Sequence, residues 1–199
     1  MFSNGNGVSL VFAQFNSKLG AFVLAKNADG VREQFTQIRD VHVTKVSTKE
    51  ESYEGNPYTL LQLRLQDAKG ASQVSFNTAT GACAKMVSIL NGADLSKPLG
   101  FSTQLLKAGT KPAGFDTPLE NDLVSISVFQ DGWLKTTAEV PKVTMVKVGS
   151  KDVADTTARD AFVKEQIAKL IAKSGATDTP ESAAPAANAA ETDDDSIPF

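Results

Sequence analysis

The final seven residues of the sequence combine negative charge with an apolar ending. Asp193-Asp194-Asp195 supplies three carboxylates, and Ile197-Pro198-Phe199 places an aromatic ring beside the terminal carboxylate. Such a peptide suits binding to another protein, because the ring can fill an apolar pocket while basic side chains pair with the carboxylates. A merely solubilising tail would explain the aspartates but not the apolar ending. We therefore predict that partner proteins dock on Asp193, Asp194, Asp195, Ile197, Pro198 and Phe199.

This ending resembles the acidic tip of bacterial single-stranded DNA-binding proteins, which typically finish Asp-Asp-Asp-Ile-Pro-Phe. Ser196 is an insertion relative to that tip, and Thr192 stands where an aromatic residue often precedes the aspartates. The family also has a low-complexity linker before the tip, and residues 174–192 contain no aromatic or large aliphatic side chain. The resemblance covers only this part of the chain. The body is divergent, which would suit a phage-encoded protein that uses the docking tip of its host.

The resemblance implies an OB-fold that binds single-stranded DNA without strong sequence preference, often as a homo-oligomer. It also implies that the tip recruits replication, recombination and repair proteins. The single cysteine and the lack of a signal peptide or membrane-spanning apolar run are typical of a cytoplasmic protein. We therefore expect a role in the cytoplasm of a bacterial cell, including that of a phage host, and no membrane partner.

Binding of single strands needs a basic groove with exposed aromatic rings on which bases stack. Residues 49–57 and 107–116 are predicted to be loops of this kind. The first has Tyr53 with Lys49, and the second has Phe115 with Lys107 and Lys111. Most of the phenylalanines, including Phe12, Phe22, Phe76 and Phe101, are instead expected in the core. The residues predicted to contact single-stranded DNA are Tyr53, Tyr58, Lys107, Lys111, Phe115, Phe129, Trp133 and Lys135.

The sequence contains few residues whose type and position indicate catalysis. The only histidine, His42, alternates with Val41 and Val43 and is expected on the less buried face of a strand. The only cysteine, Cys83, falls on the apolar stripe of a short predicted helix, where a buried thiol is inert. One histidine and one cysteine cannot build a zinc site. We expect no enzyme, no catalytic residue and no cofactor or metal, although a site made only of carboxylates stays open.

The formal net charge of −3 hides a division along the chain. Six acidic residues and no lysine or arginine lie between residues 176 and 199. The rest of the chain therefore holds 20 basic and 17 acidic residues, a net charge of +3. The acidic tail could compete with nucleic acid for the mildly basic body.

Hydrophobic periodicity predicts a mainly β fold. Five strands with one helix between the third and fourth follow the order of an OB-fold barrel. Other small barrels and mixed α+β sheets fit the same pattern. The predicted strands cover about 36–48, 58–67, 72–78, 99–107 and 122–130, and the helix covers 81–91.

Further elements decorate this predicted five-stranded OB-like barrel. We expect extra hairpins from an N-terminal pair, 8–15 with 19–26, and a C-terminal pair, 133–139 with 142–148. Apolar residues at helical spacing predict an amphipathic C-terminal helix up to Lys173. The predicted units are a single-strand-binding domain over 1–150, this helix over 151–174, and a disordered acidic tail over 175–199.

Two other functions fit the same residues. The chain could be an adaptor that occupies tip-binding pockets of replication proteins without binding DNA. It could also be a nuclease or annealing factor with a carboxylate metal site. Binding of a single-stranded oligonucleotide, its absence, and magnesium-dependent cleavage distinguish the three possibilities.

Overall fold

The fold is known from a computed structural model, which describes residues 11–25, 30–112 and 116–175. The predicted DNA contact Phe115 and the predicted docking tip lie outside these residues. The structure is mainly β, with an α-helix between two groups of strands and a second helix at the C-terminal end. The elements are β1 Val11–Asn16, β2 Ala21–Leu24, β3 Gln34–Phe35, β4 Gln37–Tyr53, β5 Asn56–Asp67, β6 Gly70–Asn77, α1 Gly81–Gly92, β7 Leu99–Leu106, β8 Leu123–Phe129, β9 Thr144–Val148, β10 Lys151–Asp155 and α2 Thr157–Lys173.

Eight strands form one strongly curled sheet, with the shape of half a barrel. Their order is β3-β2-β1-β6-β5-β4-β7-β8. The predicted N-terminal hairpin is confirmed as β1 and β2, but β1 also pairs in parallel with β6 and so joins the main sheet. This hairpin and β3 extend the sheet beyond β6, so a separate barrel of five strands is not confirmed.

The core lies between one face of the sheet and the two helices. Leu61, Leu63 and Leu65 alternate along β5 and are fully or almost fully buried, as the period of a strand requires. The predicted short helix is confirmed as α1, whose first turn is capped by Thr80 Oγ1 accepting a hydrogen bond from the backbone N–H of Cys83 at 3.2 Å. Because Leu61, Leu63 and Leu65 face the core, the side chains that alternate with them, such as Gln62 and Arg64, lie on the outer face of β5.

The hairpin of β4 and β5 is longer than the sequence predicted. Residues 49–57 were expected to be a loop, yet they continue both strands up to the two-residue turn Glu54-Gly55. Both turn residues have positive φ, which matches the twist of a tight hairpin. Pro57 is tolerated because β6 pairs with β5 only from Leu60 onwards, so one edge of β5 is free of ladder bonds there.

A contact between the β1–β2 turn and β7 holds the sheet in its curled form. The side chain of Thr103 is buried, and its Oγ1 donates a hydrogen bond to the carbonyl of Gly20 at 2.7 Å. A Cβ atom at Gly20 would lie 2.9 Å from Cβ of Leu105. Gly20 therefore permits a close approach that a larger residue would block.

The C-terminal strands and helix are formed by different residues from those predicted. The predicted strand pair 133–139 and 142–148 is wrong, because residues 134–138 pack along α1, where Thr137 Oγ1 donates to the carbonyl of Ser88 at 2.7 Å. The observed hairpin consists of β9 and β10. The C-terminal helix consequently begins at Thr157 rather than at residue 151.

Candidate nucleic-acid interface

The outer face of strands β1, β6, β5 and β4 forms a shallow cleft of about 500 Å³. We call this surface the strand face. Its floor is polar, because Gln62 on β5 lies between Ser75 on β6 and Ser47 on β4 in the strand register. The side chains that line the cleft from this face are Phe12, Gln14, Lys49, Glu51, Tyr53, Tyr58, Leu60, Gln62, Gln73 and Ser75, with Arg32 at its margin.

Three aromatic residues lie on the strand face. Tyr53 and Tyr58, both predicted as DNA contacts, are partly buried and face the cleft from the β4–β5 hairpin. The third, Phe12, was expected in the core, but 54% of it is exposed. Ala13 and Phe15 occupy alternate positions of β1, are buried, and point to the other side of the sheet from Phe12. The strand register sets Phe12 opposite Gln73 on β6, so this ring faces the same side as the tyrosines.

A hydrogen-bonded group of three side chains sets the electrostatics of the cleft. Lys49 Nζ lies 2.7 Å from Glu51 Oε1, and Tyr58 Oη donates to Glu51 Oε2 at 2.8 Å. Burial and this hydrogen bond raise the pKa of Tyr58 to about 12. Burial alone would raise the pKa of Glu51, but the hydrogen bonds from Lys49 and Tyr58 outweigh it and lower that pKa. The charge of Lys49 is therefore partly neutralised.

Further basic residues flank the cleft. Lys45 on β4 and Arg64 on β5 are opposite each other in the strand register, so their side chains leave the sheet on the same side. Arg64 is also exposed, and Arg32 borders the cleft near β2. Sequence reasoning missed these residues, although the alternation of Arg64 with Leu63 and Leu65 was a usable signal.

A second exposed aromatic surface lies at the far end of the sheet. Phe129 and Trp133 are 48% and 65% exposed, and their rings meet edge to face with centroids 5.6 Å apart. They border a cleft of about 490 Å³ that Arg39 also lines. We call this surface the Phe129–Trp133 patch. Phe129 lies on the face of β8 opposite the buried side chains of Ile126 and Val128.

The predicted lysines do not converge on either surface. Lys107 pairs with Asp122 at 2.8 Å, and the hydrogen bond from Lys107 lowers the pKa of that carboxyl. Lys111 and Lys135 are exposed. Lys107, Lys111 and Lys135 are absent from the linings of both clefts. The structure therefore places Tyr53 and Tyr58 on the same cleft and Phe129 in contact with Trp133. The three lysines line neither cleft.

The residues with catalytic potential are separated. His42 is exposed on β4, while Cys83 is fully buried in α1 and burial raises the pKa of its thiol to about 12. Among residues 11–25, 30–112 and 116–175, no three His, Cys, Asp or Glu side chains are grouped so that they could hold a metal ion. Neither described helix is long and apolar enough to cross a membrane.

No family model matches the chain, and neither a curated protein nor a solved structure matches it.

Proposed function

We propose that the chain is a non-enzymatic single-stranded DNA-binding protein that protects exposed strands in replication, recombination and repair. The strand face and the Phe129–Trp133 patch are its binding surfaces. Docking through the C-terminal tip recruits the enzymes that work on the coated strand. This function places the protein in the cytoplasm of a bacterial or phage-infected cell.

The observation that carries the proposal is the exposure of aromatic rings on two clefts of one curled sheet. Phe12, Phe129 and Trp133 are each about half exposed or more, although a ring left in water forgoes the gain from burial. Exposed apolar surface bordered by polar groups marks an interaction site. Base stacking on such rings contributes roughly 1–3 kcal/mol per base and tolerates any sequence.

The basic side chains of the strand face support a phosphate-bearing ligand there. Lys45 and Arg64 lie on this face and Arg32 lines its cleft, whereas Arg39 lines the patch together with Asp40 and Asp131. Arginine also stacks on bases and donates paired hydrogen bonds to phosphate oxygens. Glutamines on the cleft floor can donate to or accept from base edges, which adds contacts without requiring one sequence.

An OB-like core is the finer description of the fold that we propose. Along the chain, β4, β5 and β6 form an antiparallel meander, α1 follows, and β7 and β8 complete the set. That is the predicted order of three strands, a helix and two strands. In OB-folds the face of the second and third strands binds single strands, and those strands correspond to β5 and β6 of the strand face.

Fluorescence anisotropy of a labelled oligo-dT tests the proposal, with a duplex of equal length as the control ligand. We expect the wild-type chain to prefer the single strand. Phe12→Ala should weaken this binding on the order of tenfold, because a stacked base contributes roughly 1–3 kcal/mol. Leu19→Ala is the matched control, since Leu19 is also exposed but lies in the β1–β2 turn.

Three results would overturn the proposal. Equal affinity for the duplex would remove the preference for single strands. Complete absence of binding would favour the adaptor function. Magnesium-dependent cleavage of the oligonucleotide would favour the nuclease.

A further inference from the structure

The hairpin of β9 and β10 exposes apolar side chains on two strands that form a sheet of their own among the described residues. All ten residues are exposed, and Val146, Val148, Val153 and Met145 are each at least 40% exposed. An isolated two-stranded hairpin is marginally stable in water, and an unpaired strand edge favours pairing with another chain. The described sheet order places no third strand against either one.

The outer edge of β10 carries free backbone hydrogen-bonding groups. Val148 and Lys151 close the two-residue turn of the hairpin, and Val146 pairs with Val153. Hydrogen-bonded and non-hydrogen-bonded pairs alternate along an antiparallel ladder. With the closing pair hydrogen-bonded, the N–H and C=O groups of Asp152 and Ala154 point away from β9.

The sequence of β10 is complementary to itself when two copies run antiparallel. With a two-fold axis at Val153, Lys151 of each copy lies opposite Asp155 of the other. Asp152 then lies opposite Ala154 of the other copy, and their outward backbone groups can exchange hydrogen bonds. Asp155 remains available for an ion pair, because only its Oδ1 accepts the hydrogen bond from the N–H of Thr157.

We propose that β10 joins β10 of a second copy of this chain, giving a four-stranded sheet across a two-fold axis. One face of this sheet would hold a row of four valines, Val146 and Val153 from each copy, since directly opposed residues share a face. Self-pairing of β9 is less favourable, because Lys147 would lie opposite Met145 and no ion pair would form. The occupant of this edge is therefore a second copy.

Reversal of the charges at the two ends of the proposed β10–β10 pairing tests this interface. The measurement uses the full chain without DNA. Sedimentation velocity over a range of concentrations should show a monomer–dimer equilibrium for the wild type. Lys151→Glu and Asp155→Lys should each weaken the dimer on the order of tenfold, because two ion pairs become two like-charge contacts. The double variant K151E/D155K should restore it.

Two further variants separate this interface from general effects. Lys142→Glu makes the same charge change at an exposed position outside the hairpin and should leave the dimer unchanged. Ala154→Pro removes an outward N–H while keeping the β9–β10 bonds, and should weaken the dimer with the melting temperature little changed. A chain that is monomeric at all concentrations would overturn the inference. So would a dimer that the single charge reversals leave intact, or one that the double variant fails to restore.

Discussion

Replacement of Glu51 by glutamine should strengthen single-strand binding by releasing Lys49. In the wild-type cleft Glu51 accepts from both Lys49 and Tyr58. Glutamine keeps an oxygen that can accept from Tyr58 but removes the negative charge. A phosphate then no longer competes with a carboxylate for Lys49, so we expect tighter binding at low salt.

The size of the effect follows from the geometry of the ion pair. The side chains of Lys49 and Glu51 are 57% and 33% exposed, so solvent screens their attraction. Pairs of this kind contribute about 0.2–1 kcal/mol, which corresponds to a gain of roughly 1.5-fold to 5-fold in affinity. One additional neutralised phosphate steepens the salt dependence by about 0.7 in log–log slope. The gain should therefore shrink by about 2.5-fold when salt rises fourfold.

Titration of oligo-dT at several salt concentrations measures both quantities. Glu54→Gln is the matched control, because it removes the same charge from the exposed turn of the same hairpin. We expect Glu54→Gln to change affinity less and to leave the slope unaltered. Equal effects of the two variants, or an unchanged slope for Glu51→Gln, would refute a phosphate site at Lys49.

Three other predictions concern stability and the acidic tail. Gly20→Ala should reduce the free energy of unfolding, measured in urea, by about 2–4 kcal/mol, because the new Cβ meets Leu105 and φ of Gly20 is +61°. The control Gly109→Ala should reduce it less, because a Cβ there meets open space. The wild type should lose stability between pH 10 and 12, because the folded state holds the proton of Tyr58 more tightly than the unfolded state does. Urea unfolding midpoints measured across this range should fall less for Tyr58→Phe, which has no phenol to titrate. Deletion of residues 176–199 should tighten oligo-dT binding at low salt by removing six negative charges, and an unchanged low-salt affinity would contradict competition by the tail.

Local patterns predicted the elements that local interactions stabilise. The alternation in β5 and the apolar spacing of α1 are visible in the sequence because each element buries one face. Asp131-Gly132 is a sequence typical of a tight hairpin turn, and both residues have positive φ, but the chain beyond them does not continue as a strand. Only the isolated bridge between Phe129 and Trp133 forms, since the following residues bond to α1 instead.

Features that depend on distant contacts were not predictable. Phe12 was assigned to the core because aromatic residues in strands usually are, and its outward direction follows from the parallel pairing of β1 with β6. The charged stretch from Lys49 to Tyr53 suggested a solvated loop. It is a strand because Glu51 bonds to Tyr58 and Glu50 bonds to Thr59 across the hairpin.

Trp133 provides the most direct measurement of the central claim, because it is the only tryptophan in the chain and is 65% exposed. Stacking of a base on its ring should quench its fluorescence in a saturable titration with oligo-dT. We expect quenching that is reversed by salt and is far weaker with duplex DNA. Unchanged Trp133 emission at oligo-dT concentrations that saturate the anisotropy signal would contradict binding at the Phe129–Trp133 patch. Unchanged emission together with no anisotropy signal would contradict single-strand binding altogether.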